Sequence, residues 1–155
     1  MIINKLSFIL LCVVLIVVQF VINNFTIFYV DMIAIILVSL LLRGNLVWLQ
    51  LIVLSFIGDL IGHWFLGSHL LAVVLISYFT SKVANFYRMC GWFPKTLISM
   101  FYLALFYLVI YLVELSTRRV FTSIDSLIVQ LLILLPIVQF ALNRLNTRKP
   151  SEYYF

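Results

Sequence analysis

Two aspartates and two histidines are the groups of this chain best placed to do chemistry. Asp59 lies near the end of an apolar run, Ser55-Phe56-Ile57-Gly58-Asp59-Leu60-Ile61-Gly62, with His63 and His69 just beyond it, and Asp31 begins an earlier run. Two carboxylates at similar depth could share a proton and carry out hydrolysis, as in an intramembrane aspartic protease. His63 and His69 could hold a metal together with Asp59, although H-E-x-x-H and Cys/His spacings are missing. Asp59, His63 and Ser68 could supply a nucleophile, but nothing orders them as a triad. A structural role competes with all of these. An acid within a hydrophobic segment needs a partner or a wet cavity, and membrane acids also link helices. On this preferred reading both aspartates pair with Arg118 or Arg119, with loop dipoles or with water. Neither a metal nor a cofactor is expected, and no phosphate-cradling glycine loop occurs.

The elements that position these groups belong in a bilayer. Of the 155 residues, 66% are hydrophobic and 10% charged, with mean hydropathy +1.25. A soluble domain has about 25% charged residues. The length allows one compact bundle without a sizeable aqueous domain. The net charge of +5 is dispersed, which suits topology signals better than nucleic-acid binding. Cys12 and Cys90 fall in different segments, so no disulfide is expected.

Six apolar segments are predicted: 6–22, 27–42, 46–61, 69–84, 96–115 and 124–142. The first mimics a secretory signal but lacks a small-residue cleavage pattern, and reads as a retained helix. Segments two and three, near 16 residues each, would rise roughly 24 Å and form a hairpin of short spans. Tyr107, Tyr111 and Glu114 are expected on one face of segment five, and Pro136 is expected to kink segment six. Six spans place both termini on one side. Lys5, Arg43, Lys82, Arg88, Lys95, Arg144, Arg148 and Lys149 share that side, against Arg118 and Arg119, so it is cytoplasmic.

This topology brings Asp31, Asp59, Glu114 and Asp125 to the outer end with both histidines. Gly58 and Gly62 form a close-packing GxxxG step, and Ser55 shares their face. Asp59 is therefore expected to face the packed side. There it would latch the turn between segments three and four by bonding to Arg118, to Arg119 or to backbone N–H groups of the Gly62–Leu66 turn.

Asp59-Leu60-Ile61, followed after four residues by Leu66-Gly67 and an apolar helix from Leu70 to Ser81, resembles the rod-shape-determining protein MreD family. Asp31 stands where that family begins its second helix, and Arg43 falls in the tight turn after it. The run Trp92 to Glu114 is similar to the fifth helix with its terminal acid. Pro136, Gln139, Asn143 and Arg144 are similar to the last helix and basic tail. Val30 replaces a usual proline, Ser55 a common glycine, and His63 the glycine in mid-turn. The resemblance covers nearly the whole chain. It implies a non-enzymatic scaffold of the bacterial inner membrane that binds MreC directly. Through MreC it would reach MreB filaments and the glycosyltransferase and transpeptidase of peptidoglycan elongation. It also implies a six-helix fold like the substrate-binding subunits of energy-coupling-factor transporters, which keeps a small-molecule or lipid pocket open as a second expectation.

Overall fold

The computed structural model describes residues 5–25, 29–43, 48–62, 65–117 and 124–146. The helices are α1 (Lys5–Phe25), α2 (Met32–Arg43), α3 (Trp48–Gly62), α4 (Ser68–Met89), α5 (Trp92–Thr117), α6 (Ile124–Val129) and α7 (Leu135–Asn146), with a π-helical turn, Gln130–Leu134, joining the last two. Among the described residues there are no strands.

The architecture is organised around α2. Its residues Met32 to Leu42 are all buried, and α1, α3, α4, α5 and α7 pack against it. A helix that is apolar on every side needs cover on every side. At 12 residues it rises only about 18 Å. The surrounding helices turn apolar residues outward, among them Leu49, Leu60, Leu108, Leu112 and Ile137. That outer surface suits lipid.

Among the described residues two helical stretches, Trp92–Thr117 and Asp125–Leu142, are long and apolar enough to cross a membrane. A third is added if the two arms of α4 count as one span. Those arms, Ser68–Thr80 and Lys82–Met89, lie at 73° to one another. Ser77 Oγ bonds the Val74 carbonyl and Thr80 Oγ1 the Ser77 carbonyl, one turn back. Such back-bonding loosens and bends helices. The apolar stretches Cys12–Phe25, Met32–Arg43 and Trp48–Gly62 are shorter.

Three expectations need correction. In the second segment, Tyr29–Asp31 are not helical and α2 starts at Met32, because Asp31 caps the helix from just before its first residue instead of lying inside it. The sixth segment is interrupted before Pro136 by the π-helical turn, where the Leu135 N–H reaches the Gln130 carbonyl. Proline crowds the carbonyl four residues back, and one wider turn relieves the crowding. Tyr111 leaves the expected seam. Tyr107 and Glu114 are buried but Tyr111 is exposed, because the buried stripe of α5 centres on Leu103, Phe106 and Ile110 and Tyr111 falls beyond its edge.

Candidate functional site: a buried aspartate–histidine–aspartate bridge

The start of α2 is a helix N-terminus inside the protein, where orphan N–H groups would be costly. Each finds an acceptor. Asp31 Oδ1 accepts from the Ala34 N–H at 3.0 Å, the N-cap bond that a helix start calls for. Gln19 Oε1, from α1, accepts from Met32 N at 3.0 Å and Ile33 N at 3.3 Å. Gln130 Oε1, from the π-helical turn, accepts from Asp31 N at 3.2 Å and from the Tyr107 hydroxyl. The segment that leads into α2 is pinned as well. Asn23 bonds both the N–H and the carbonyl of Val30, and the Tyr29 N–H donates to Ser126 Oγ.

The second aspartate closes a turn. Asp59 Oδ2 accepts from the Gly67 N–H at 2.6 Å. Its Oδ1 accepts from Ser68 Oγ at 2.8 Å and from the His69 N–H at 3.1 Å. These donors cluster because α4 starts there and its first N–H groups point at the anion. Gly67 supplies the required backbone with φ +97°, a region where a side chain is strained.

His69 joins the two. Its Nδ1 lies 2.7 Å from Asp59 Oδ1 and its Nε2 lies 2.7 Å from Asp31 Oδ2. All three side chains are buried. Each contact holds one proton, so the three groups share two bridging protons and carry net charge −1. The sum is the same for an imidazolium between two carboxylates as for a neutral ring beside one carboxylic acid. The negative centre faces the N-termini of both α2 and α4, whose dipoles favour it. Phe106 meets the imidazole edge-on, with ring centres 5.5 Å apart. Gly58 makes room for the ring. A Cβ there would stand 3.1 Å from His69 Cδ2 and 3.2 Å from Ile33 Cγ2.

The expected latch of Asp59 on the following turn is thus present, with different donors. Among the described residues they are Gly67, Ser68 and His69; His63 and Trp64 of the expected Gly62–Leu66 turn, and Arg118 and Arg119, lie outside the described residues. Gly62 ends α3 half-buried, Glu114 is buried on α5, and Asp125 is exposed in the first turn of α6. His69 is the residue whose role sequence reasoning missed. The sequence offers it as a metal ligand beside His63 and Asp59, whereas both its ring nitrogens face carboxylates; among the described residues no group of three His, Cys, Asp or Glu side chains could hold a metal ion. The clue lay in its position two residues after Gly67, at a helix start facing two acids. Gln130 left a similar clue as a lone amide within an apolar run.

At the opposite end a neutral network joins four helices. The Tyr87 hydroxyl donates to Gln139 Oε1 at 3.0 Å and lies 3.2 Å from Ser99 Oγ. Gln139 Nε2 donates to Ser39 Oγ at 2.9 Å and Ser99 Oγ at 3.0 Å. Cys12 and Cys90 are both free.

The chain was compared with family models, curated proteins and solved structures, and it matches none of them.

Proposed function

We propose that this chain is a non-enzymatic, multi-pass membrane scaffold whose Asp31–His69–Asp59 bridge fixes the shape of the outer face that a partner binds. One observation carries the proposal. Both carboxylates spend their acceptor capacity on donors within the chain. An aspartic protease needs two carboxylates that meet over one water, and here an imidazole fills the space between them. That favours a latch over catalysis.

The proposed topology is six crossings with cytoplasmic termini in a bacterial inner membrane. It is supported by the basic residues Arg43, Arg88 and Lys95, which cluster at the end away from the aspartates. Single cysteines at Asn85 and Leu66, in a background without Cys12 and Cys90, test it. Only Leu66 should react with an impermeant outside reagent, and outside labelling of Asn85 would overturn the topology.

The resemblance to MreD makes MreC the proposed direct partner, with MreB filaments and the elongation glycosyltransferase and transpeptidase reached through it. Co-purification of the two chains in mild detergent is the test. Asp59→Leu should reduce recovery of MreC more than Asp59→Asn. Loss of cell rod shape on depletion should accompany the loss of binding. Failure of the wild-type chain to retain MreC would remove the partner. Cleavage of a membrane substrate, abolished by either single Asp→Asn change in a folded protein, would replace the scaffold with a protease.

A further inference from the structure

The two carboxylates of the bridge bond within the chain unequally. Asp59 meets four polar atoms: the Gly67 N–H, the Ser68 hydroxyl, the His69 N–H and His69 Nδ1. Asp31 meets two, the Ala34 N–H and His69 Nε2. A carboxylate offers about four acceptor positions, so Asp59 is fully surrounded and Asp31 has room for a hydrogen. A latch alone does not need this inequality.

The inequality decides where protons go. A hydrogen bond to a carboxylate favours its charged form. Besides the imidazole, Asp59 has three such bonds and Asp31 has one, so Asp59 keeps the charge. A third proton taken up from water would confront a donor at every position on Asp59. On Asp31 it binds an oxygen without displacing a donor, and the three groups pass from net charge −1 to zero. The Ala34 N–H and the imidazolium then face a neutral acid and lose their charge assistance, about half the strength of each bond. Both bonds belong to the joint between the start of α2 and the start of α4. The bonds from Asp59 to Gly67, Ser68 and the His69 N–H are unchanged.

Other titratable groups at this end do not hold that position. Among the described residues, α1 brings the amides Gln19 and Asn23, and the π-helical turn brings Gln130. Tyr107 on α5 is in electrostatic contact with Asp31 but gives its hydroxyl hydrogen to Gln130. Glu114 lies two turns further along α5, Asp125 is exposed on α6, and Tyr29 precedes α2. None of these hydrogen-bonds the Asp31 carboxylate. The charged residues of α2 and α7, Arg43 and Arg144, stand at the far ends of their helices.

We propose that Asp31 makes the bridge a proton-sensitive joint: a third proton settles on its carboxylate and loosens the start of α2 from the start of α4, while Asp59 keeps its turn. The proposal rests on the geometry of the bridge and is independent of the scaffold role and of MreC. The full chain in detergent is acidified from about pH 8 to about pH 4, the edge of the ordinary carboxylate range, and followed by NMR. The Ala34 amide proton should shift in one titration step as its acceptor becomes neutral, with the Gly67 amide constant. Hydrogen-exchange protection at Ala34, corrected for the intrinsic effect of pH, should fall about tenfold, the ratio between a charge-assisted and a neutral bond. Asp31→Asn should abolish both responses. Its carbonyl oxygen still caps Ala34 and its NH2 faces Nε2, so the joint closes but takes up no further proton. Glu114→Gln should leave both responses in place. A constant Ala34 signal overturns the proposal, as does an equal response at Gly67. So does a response that survives Asp31→Asn or disappears in Glu114→Gln. If Asp31→Asn fails to fold, Ala34 against Gly67 in the wild type decides.

Discussion

The two ends of the bundle bury polar side chains by different means. At one end, three ionisable groups share two protons and carry a net charge, so they draw in backbone N–H groups from Ala34, Gly67 and His69 and two helix N-termini. At the other end, Tyr87, Ser99, Gln139 and Ser39 form a neutral network of hydroxyls and one amide. The charged end ties helix starts and a turn, and so sets the shape of a face. The neutral end clamps α2, α4, α5 and α7 side by side. A buried carboxylate that loses its partner must take up a proton or stay uncompensated, and either is costly, whereas hydroxyls can re-pair with one another. The charged end should therefore be the more sensitive to substitution.

His69→Ala should show this most strongly. It strands two carboxylates, and removing one partner of a buried ion pair costs about 3–5 kcal/mol. Unfolding of the purified chain in detergent would measure the loss. Adding Asp31→Asn to His69→Ala should recover part of it, since one stranded charge disappears. If His69→Ala costs no more than Gln139→Leu, the contrast between the ends collapses.

Asp59→Asn comes next. The amide keeps the shape but must turn its NH2 either toward the Gly67 N–H or toward the Ser68 and His69 donors, for about 2–3 kcal/mol, and Asp59→Leu should cost more. Gly58→Ala sharpens the comparison from the packing side. Its new methyl meets His69 and Ile33, so about 1–3 kcal/mol is expected from overpacking, with the His69 ring signals shifted in NMR. Gln139→Leu at the neutral end should cost about 1–2 kcal/mol, because Tyr87 and Ser99 retain one another while Ser39 loses the Gln139 amide. An effect no larger than that is expected for Gly67→Ala. No atom lies within 4 Å of the added Cβ, so only the positive φ opposes it, at about 1–2 kcal/mol.

The sequence by itself determined the helical class and the apolar segments, because composition and run length reflect a local property, the transfer of each stretch out of water. It also showed that Asp59, a carboxylate in an apolar run, needs a partner, and it left Arg118, Arg119 and the N–H groups of the following turn open as that partner. It could not identify the donors as Gly67, Ser68 and His69, which depends on where α4 begins and on one residue with positive φ. Only the tertiary structure decided that a single imidazole joins Asp31 to Asp59, groups 38 and 10 residues from His69. Gln19 and Gln130 were also beyond reach, since they cap α2 from helices on either side of it. The burial of α2 was equally invisible. Its sequence is apolar all round, and such a helix reads the same whether lipid or five other helices surround it.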